Sequence, residues 1–531
     1  MATNLVNLDA LIHRDNFQVK VQTGREYDRG EKLKITDLEP KSFMYGALRK
    51  PDFQRETANW TPQKIQDFIK TFLEGDLVPA IIMWGAGDTA FVVDGAHRLS
   101  ALIAWVQDDY GAGSRSRDFF KNDIPKEQIR AHEKTRALID GSVGPYAEYV
   151  AASEHPERSR SEIVNIAKRL GSRSLQLQWI LNADADKAEA SFFKINQAAT
   201  PIDPTELRIL NSRKSANSIA ARVIVRNATG HEYWSGFTDD RNKSETENLG
   251  REIYKLLFHP PMETPIKTLD LPVAGRGYSG QTLPLIFDFV NLANAIPVVD
   301  SKKASKKVLD EKPKTDDDGS DTVEFLRSVR KLVYRITGLH ASSLGLHPAV
   351  YFYSATGRHQ PNAFLAIVEF IKEMERKNNF REFTDVRKNF ENFFLANKSY
   401  ANQVTVKIGS GAAKGGYIRL KNLYVRVFEL CLLGKNDDQI NEALKSDPEF
   451  SFLQPDTAML EGKPTKFSKE IKSATFLKEA ISGAPRCRIC GCLLHFNSIS
   501  IDHIVRRQDG GLGVRENAQL SHPYCNTTYK N

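Results

Sequence analysis

Apolar residues recur along this chain with helical spacing over long stretches and with strand-like density over short ones. Ile65, Phe68, Ile69 and Phe72 fall on one helical face. Thr61 is a good N-cap before them, Pro62 suits the first helical position, and Gly75 ends the run. Residues 79–84 and 90–93 are short apolar runs that predict strands, and residues 99–107 (LSALIAWVQ) predict a helix. The lead-in to Pro51 reads as short strands and turns, and residues 108–161 read as polar and irregular. Residues 190–211 predict a helix-turn-helix unit with Phe193, Ile195, Ile202, Leu207, Ile209 and Leu210 in the core. Helical patterning continues to about residue 295, densest over 285–292. Residues 300–321 have almost no apolar positions and read as a solvated linker. Residues 322–337, 362–376, 383–394 and 422–433 are amphipathic helices, and residues 456–479 form a basic, polar connector. Near the end, residues 498–502 (SISID) alternate like a strand. Gly510-Gly511 marks a loop, residues 517–520 a second strand, and Pro523 the first position of a helix. No internal repeat is visible.

Length and composition narrow the class. With 531 residues, 41% of them hydrophobic, the chain can build several cored domains. The net charge of +8 is a modest excess that favours nucleic acid. From Pro485 onward the bias is stronger: Arg486, Arg488, Arg506, Arg507, Arg515 and Lys530 face only Asp502, Asp509 and Glu516. Of the five cysteines, all but Cys431 lie in this segment, which is metal usage in a reducing compartment rather than a disulfide framework. A signal-peptide core and a membrane-length apolar run are both missing, so the expectation is a cytoplasmic protein with no membrane partner.

The residues from Cys487 to Asn526 carry the clearest chemistry. Cys487 and Cys490 form a C-x-x-C knuckle, and His522 and Cys525 an H-x-x-C pair. Two such pairs complete a tetrahedral zinc clamp, and a segment this short needs the ion to hold its fold. Cys492 reads as a small buried thiol, and His495 as a surface or supporting residue. Between the pairs, Asp502 and His503 end the alternating run, and closing the clamp carries Asn526 towards them.

That layout resembles the HNH nuclease family, with its ββα-metal fold, over roughly the last tenth of the chain. The resemblance implies that Asp502 and Asn526 hold one Mg²⁺ or Mn²⁺. It implies that His503 is the general base that activates water against a phosphodiester, and that Asn517 braces the loop carrying that base. Oxygen ligands suit such hard cations, and an imidazole can take a proton near neutral pH. The third zinc position is His522, where many relatives have cysteine.

A second motif lies near the N-terminus. The strand at 90–93 delivers Asp94-Gly95-Ala96-His97-Arg98 to the start of a helix. Strand, glycine turn and helix N-terminus present free N–H groups to an anion. Spacing alone equally allows a tight turn that needs glycine, with Arg98 on a solvated face. Residues 51–105 resemble the ParB/sulfiredoxin superfamily, nearest to its GmrS-type branch, whose pattern is a QR, a helix and then DGQQR. Here the QR is Gln54-Arg55, and DGAHR stands nearer the DGQHR spelling. Residues 190–211 extend the resemblance over about the first 210 residues. It implies a nucleotide or DNA-phosphate site formed by Gln54, Arg55, Asp94, Gly95, His97 and Arg98. Ala96 stands where sulfiredoxin has its cysteine, so that chemistry is excluded.

The expected fold class is therefore α+β and multidomain. Residues 1–210 form a ParB/sulfiredoxin-like α/β sensor domain that binds an NTP or phosphate, and residues 211–455 a mainly helical middle region. Residues 456–531 form the connector and a zinc-stabilised HNH domain. This order resembles nucleotide-gated or modification-dependent restriction proteins of the GmrSD and SspE type. It implies double-stranded phage DNA, modified or unmodified, as substrate, with zinc, Mg²⁺ or Mn²⁺, and an NTP as cofactors. Two other readings stay open: an NTP-switched regulatory DNA-binding protein with an inert zinc ribbon, and a homing or junction nuclease with no NTP step. The sequence leaves the oligomeric state undefined.

Overall fold

The structure is a computed structural model that describes residues 5–17, 30–54, 56–181, 183–199, 204–298, 314–409, 415–456 and 466–530. Two compact units emerge: Met1–Arg213 with Thr229–Tyr233 and Tyr278–Gly280, and Lys214–Ala228 with Trp234–Gly277 and Gln281–Asn531.

The first unit is built on one sheet. Its strands are β1 (Arg14–Asp15), β2 (Lys32–Lys34), β3 (Leu48–Pro51), β4 (Ile81–Ala86), β5 (Thr89–Asp94) and β6 (Ser174–Trp179). They lie in the order β1-β3-β5-β4-β6-β2. β3 is parallel to β1 and β5, and β4 is antiparallel to β5 and parallel to β6. Both faces of the sheet are covered. Ala90 and Val92 of β5 join a core with helices Pro62–Glu74 and Ala96–Gln107. Phe91 and Val93 pack on the other side with Phe17, Phe53, Trp84 and Phe192. Two-sided burial explains why these strands read as continuous apolar runs.

Local signals set the element ends. The Thr61 hydroxyl accepts from the Lys64 N–H at 3.2 Å, Pro62 opens Pro62–Glu74, and Gly75 closes it in the left-handed region. Residues 108–161 differ from the irregular chain expected. They form helices Ser114–Phe119, Lys126–Asp140 and Tyr146–Glu154. The face that Lys126–Asp140 buries is Gln128, Ala131, Thr135 and Ile139, so its helical period is written mostly in small and polar residues that a hydrophobicity pattern passes over. In helix Ala185–Ala199 the buried phenylalanine is Phe192, with Phe193 and Ile195 only half-buried; Ile202 lies outside the described residues.

The second unit is helical except at its C-terminal end. Ala216–Val225, Asp240–Phe258, Thr282–Ala293, Ser320–Ile336, Pro361–Lys377, Phe380–Ala396 and Gly416–Leu432 are its long helices. Most of the expected linker lies outside the described residues, but its end is structured. Buried Asp316 accepts hydrogen bonds from Gly319 and Thr322 and so caps Ser320–Ile336. The connector is also corrected: Lys469–Ser482 is a helix capped by Ser468. Among the described residues no helix is long and apolar enough to cross a membrane.

The chain ends in an antiparallel hairpin, β7 (Ser500–His503) and β8 (Ala518–Ser521), followed by a π-helical turn, Cys525–Tyr529. This piece is seated on the loop that follows helix Ser320–Ile336 in its own unit. Ser498 Oγ accepts from the Gly338 N–H at 3.0 Å, Tyr524 N–H donates to Ser343 O at 2.9 Å, and Thr527 Oγ1 donates to Ala341 O at 2.8 Å.

Candidate functional site

The apolar core of the C-terminal piece is small: Cys487, Leu494 and Cys525, with Ile489, Cys490 and Ile499 packed around them. So little burial does not fix a fold by itself. What joins it is a four-group cluster. The ligand atoms of Cys487, Cys490, His522 and Cys525 all lie within 4.8 Å of one another, compatible with a tetrahedron of Zn–S bonds of about 2.3 Å. His522 Nε2 donates to the Leu493 carbonyl at 3.0 Å. That bond fixes the tautomer and leaves Nδ1 facing the Cys490 and Cys525 sulfurs at 3.4 and 3.8 Å. Hydrogen bonds from Cys487 and Cys492 hold the Cys490 thiol far below its ordinary range, which favours the thiolate that a metal needs. The donor set fits zinc. Cys492 is buried outside the cluster, with its Sγ 3.7 Å from the Cys490 carbonyl.

His495 is not on the surface. It is 1% exposed and meets His347 edge-on at 5.7 Å, and burial lowers its pKa to about 4. That contact with His347 joins residues far apart in the chain, so nothing local announces the burial.

On the hairpin, Asp502 is buried in β7 and His503 is the strand's last residue. Asp502 Oδ2 accepts from Gln519 Nε2 and from Lys530 Nζ, both at 2.7 Å. Asn526 Nδ2 donates to Ser500 Oγ at 2.8 Å and to Ile501 O at 3.2 Å, so its amide lies against the strand that carries Asp502. Asn517 ties the chain that follows His503. Its Oδ1 accepts from Val505 N–H at 2.7 Å, and its Nδ2 donates to Val505 O at 3.1 Å and Leu512 O at 2.8 Å. A carboxylate and an amide oxygen on neighbouring backbone suit a hard divalent cation. The sequence does not single out Gln519, and Lys530 enters there only as part of the basic bias. Gln519 is the cross-strand partner of Asp502, and pairing SISID with the second strand would have located it.

In the first unit, β5 ends at Asp94, and Gly95 turns the chain into Ala96–Gln107 at φ +91°. A Cβ at Gly95 would stand 2.5 Å from Ile81 Cδ1. This turn lines a cavity of about 160 Å³ with Gln54, Trp60, Asp94, Ala96, His97, Arg98 and Phe192. Gln54, Asp94, Gly95, His97 and Arg98 are thus brought together; Arg55 lies outside the described residues. Gln54 Nε2 is held by Val92 O and Val93 O, while its buried Oε1 has no hydrogen-bond partner among the described residues. Arg98 is not a free surface cation. Its Nη2 pairs with Asp94 Oδ2 at 2.8 Å and with Ala80 O at 3.2 Å, leaving a buried Nε with no hydrogen-bond partner among the described residues. Trp60 stacks on His97 with centroids 5.8 Å apart.

Comparison with known families agrees with both ends of the chain. The family model "GmrSD restriction endonuclease, N-terminal domain" matches residues 37–212. The model "HNH endonuclease" matches residues 487–531 and decides against an inert ribbon. No curated protein and no solved structure matches. The chain therefore joins a GmrSD-type N-terminal domain to an HNH endonuclease domain, a hydrolase of DNA phosphodiester bonds, in the fusion architecture of GmrSD-type restriction nucleases.

Proposed function

We propose that this chain defends a prokaryotic cytoplasm against phage by cutting double-stranded DNA, with its N-terminal domain, residues 1–210, sensing a nucleotide, a DNA modification, or both. The observation that carries the catalytic half is the convergence on β7. Asn517 secures the chain after His503, and Asn526 lies against the strand beside buried Asp502. His503 accepts the proton of the attacking water. Asp502 and Asn526 hold Mg²⁺ or Mn²⁺, Asn517 keeps the base-bearing loop in place, and the Cys487, Cys490, His522 and Cys525 zinc site sets the hairpin's geometry. A bound divalent ion would stabilise negative charge on the phosphate and the leaving oxygen.

The sensing half is supported by the cavity. Arg98 and the N-terminal N–H groups of Ala96–Gln107 supply donors for a phosphate, with Gln54, His97 and Gly95 forming the wall. An entering phosphate competes with Asp94 for Arg98. Arg98→Ala should weaken nucleotide affinity about ten- to a hundredfold and blunt any effect of nucleotide on cutting. The test is cleavage of modified and unmodified phage DNA, with and without each NTP, by wild type and Arg98→Ala, beside calorimetric nucleotide binding. Identical binding and identical responses in the two proteins would refute the nucleotide-gated form.

A further inference from the structure

Lys530 belongs to none of the motifs above, yet it touches the catalytic carboxylate. The turn Cys525–Tyr529 has π geometry, and the Lys530 N–H donates five residues back to Cys525 O at 3.1 Å. Such a turn holds one residue more than an α-helical one, and π turns recur at functional sites. The wider turn delivers Lys530 Nζ to Asp502 Oδ2 at 2.7 Å and to the His503 carbonyl oxygen. Arg506 holds the Lys530 carbonyl at 2.7 Å, so the backbone under the ammonium is fixed. The side chains are 19% and 6% exposed. This pair is largely withdrawn from water and screened far less than a surface ion pair.

We propose that Lys530 is a resident counter-cation of the nuclease site: its ammonium neutralises Asp502, and a divalent ion must displace it to bind. The proposal rests on Asp502 being an ion ligand. Ammonium and divalent ion compete for the same carboxylate, and Gln519 already occupies Oδ2 as well. The ion therefore binds weakly until Lys530 finds another anion. A DNA phosphate is such an anion, so ion and DNA bind more tightly together than apart. The device keeps the nuclease unloaded in the absence of substrate.

The test is Mn²⁺ binding to the zinc-loaded full chain without DNA, read from the spectrum of free Mn²⁺, with zinc content as the folding control. Lys530→Met should bind Mn²⁺ roughly tenfold or more tightly than wild type, and Lys530→Arg should stay near wild type. If Lys530→Met sheds zinc, Lys530→Gln takes its place with the same expected rise. Mn²⁺ affinity equal to or below wild type in the neutral variant overturns the proposal. Unchanged Mn²⁺ binding in Asp502→Ala would instead remove the ligand assignment on which it rests.

Discussion

Gly345 lies directly against His522: a Cβ at Gly345 would stand 2.6 Å from His522 Cδ2 and 2.9 Å from the Ser498 Cβ. The loop at Gly345 thus forms one wall of the Cys487, Cys490, His522 and Cys525 cluster. Arg387, fully buried, donates to the carbonyls of Leu344 and Gly345 and pairs with Glu391 at 2.7 Å. The nuclease hairpin is seated on this loop.

Gly345→Ala should accordingly loosen the zinc site. The residue has φ +57°, where a side chain is strained, and the added methyl meets a ligand ring. A loss of about 1–3 kcal/mol is expected. Zinc release to a chelator, timed against wild type, checks it; unchanged release would mean the wall yields without disturbing the ligand.

Breaking the buried pair behind that loop should cost more. Arg387→Met leaves Glu391 charged and buried, with the Tyr351 hydroxyl still donating to it at 2.9 Å, and about 3–5 kcal/mol should be lost. Urea unfolding of Arg387→Met, Glu391→Gln and the double variant should give a double-variant loss well below the sum of the singles.

The clamp predicts one tightly held zinc per chain. Cys487→Ser and Cys525→Ser should lose the ion and the hairpin fold together. Cys492→Ser, outside the cluster, should keep zinc at wild-type stoichiometry. Metal analysis of the three variants separates these outcomes, and zinc-free wild type would contradict the clamp.

Acid should weaken the second unit. Burial lowers the pKa of His359 to about 4, against an ordinary value of 6.5. Between those values the unfolded chain binds the extra proton, so stability falls as pH drops from about 6.5 towards 4, and this loss levels off below that. The effect approaches roughly 3 kcal/mol. His359→Gln should flatten that part of the pH profile in urea unfolding; an unchanged slope would assign it to other groups.

What could be read in advance follows from where each signal resides. Thr61, Pro62 and Gly75 act on their own backbone, so the helix they bound was legible, and the Cys-His spacing is likewise local. The helix Lys126–Asp140 was hidden because its buried face includes Gln128 and Thr135. His495 reads as a surface or supporting residue, and its burial rests on a long-range contact with His347. The Lys530–Asp502 contact depends on a π-helical turn, which leaves no mark in composition or spacing.

The central claim is that the Asp502, His503 and Asn526 site hydrolyses DNA. The direct measurement is divalent-dependent cleavage of phage DNA by wild type and His503→Ala, matched for zinc content and unfolding midpoint. Cleavage should require Mg²⁺ or Mn²⁺ and should fall about a hundred- to ten-thousandfold in His503→Ala, with zinc retained. His503→Ala cutting at the wild-type rate would place the active site elsewhere in the chain.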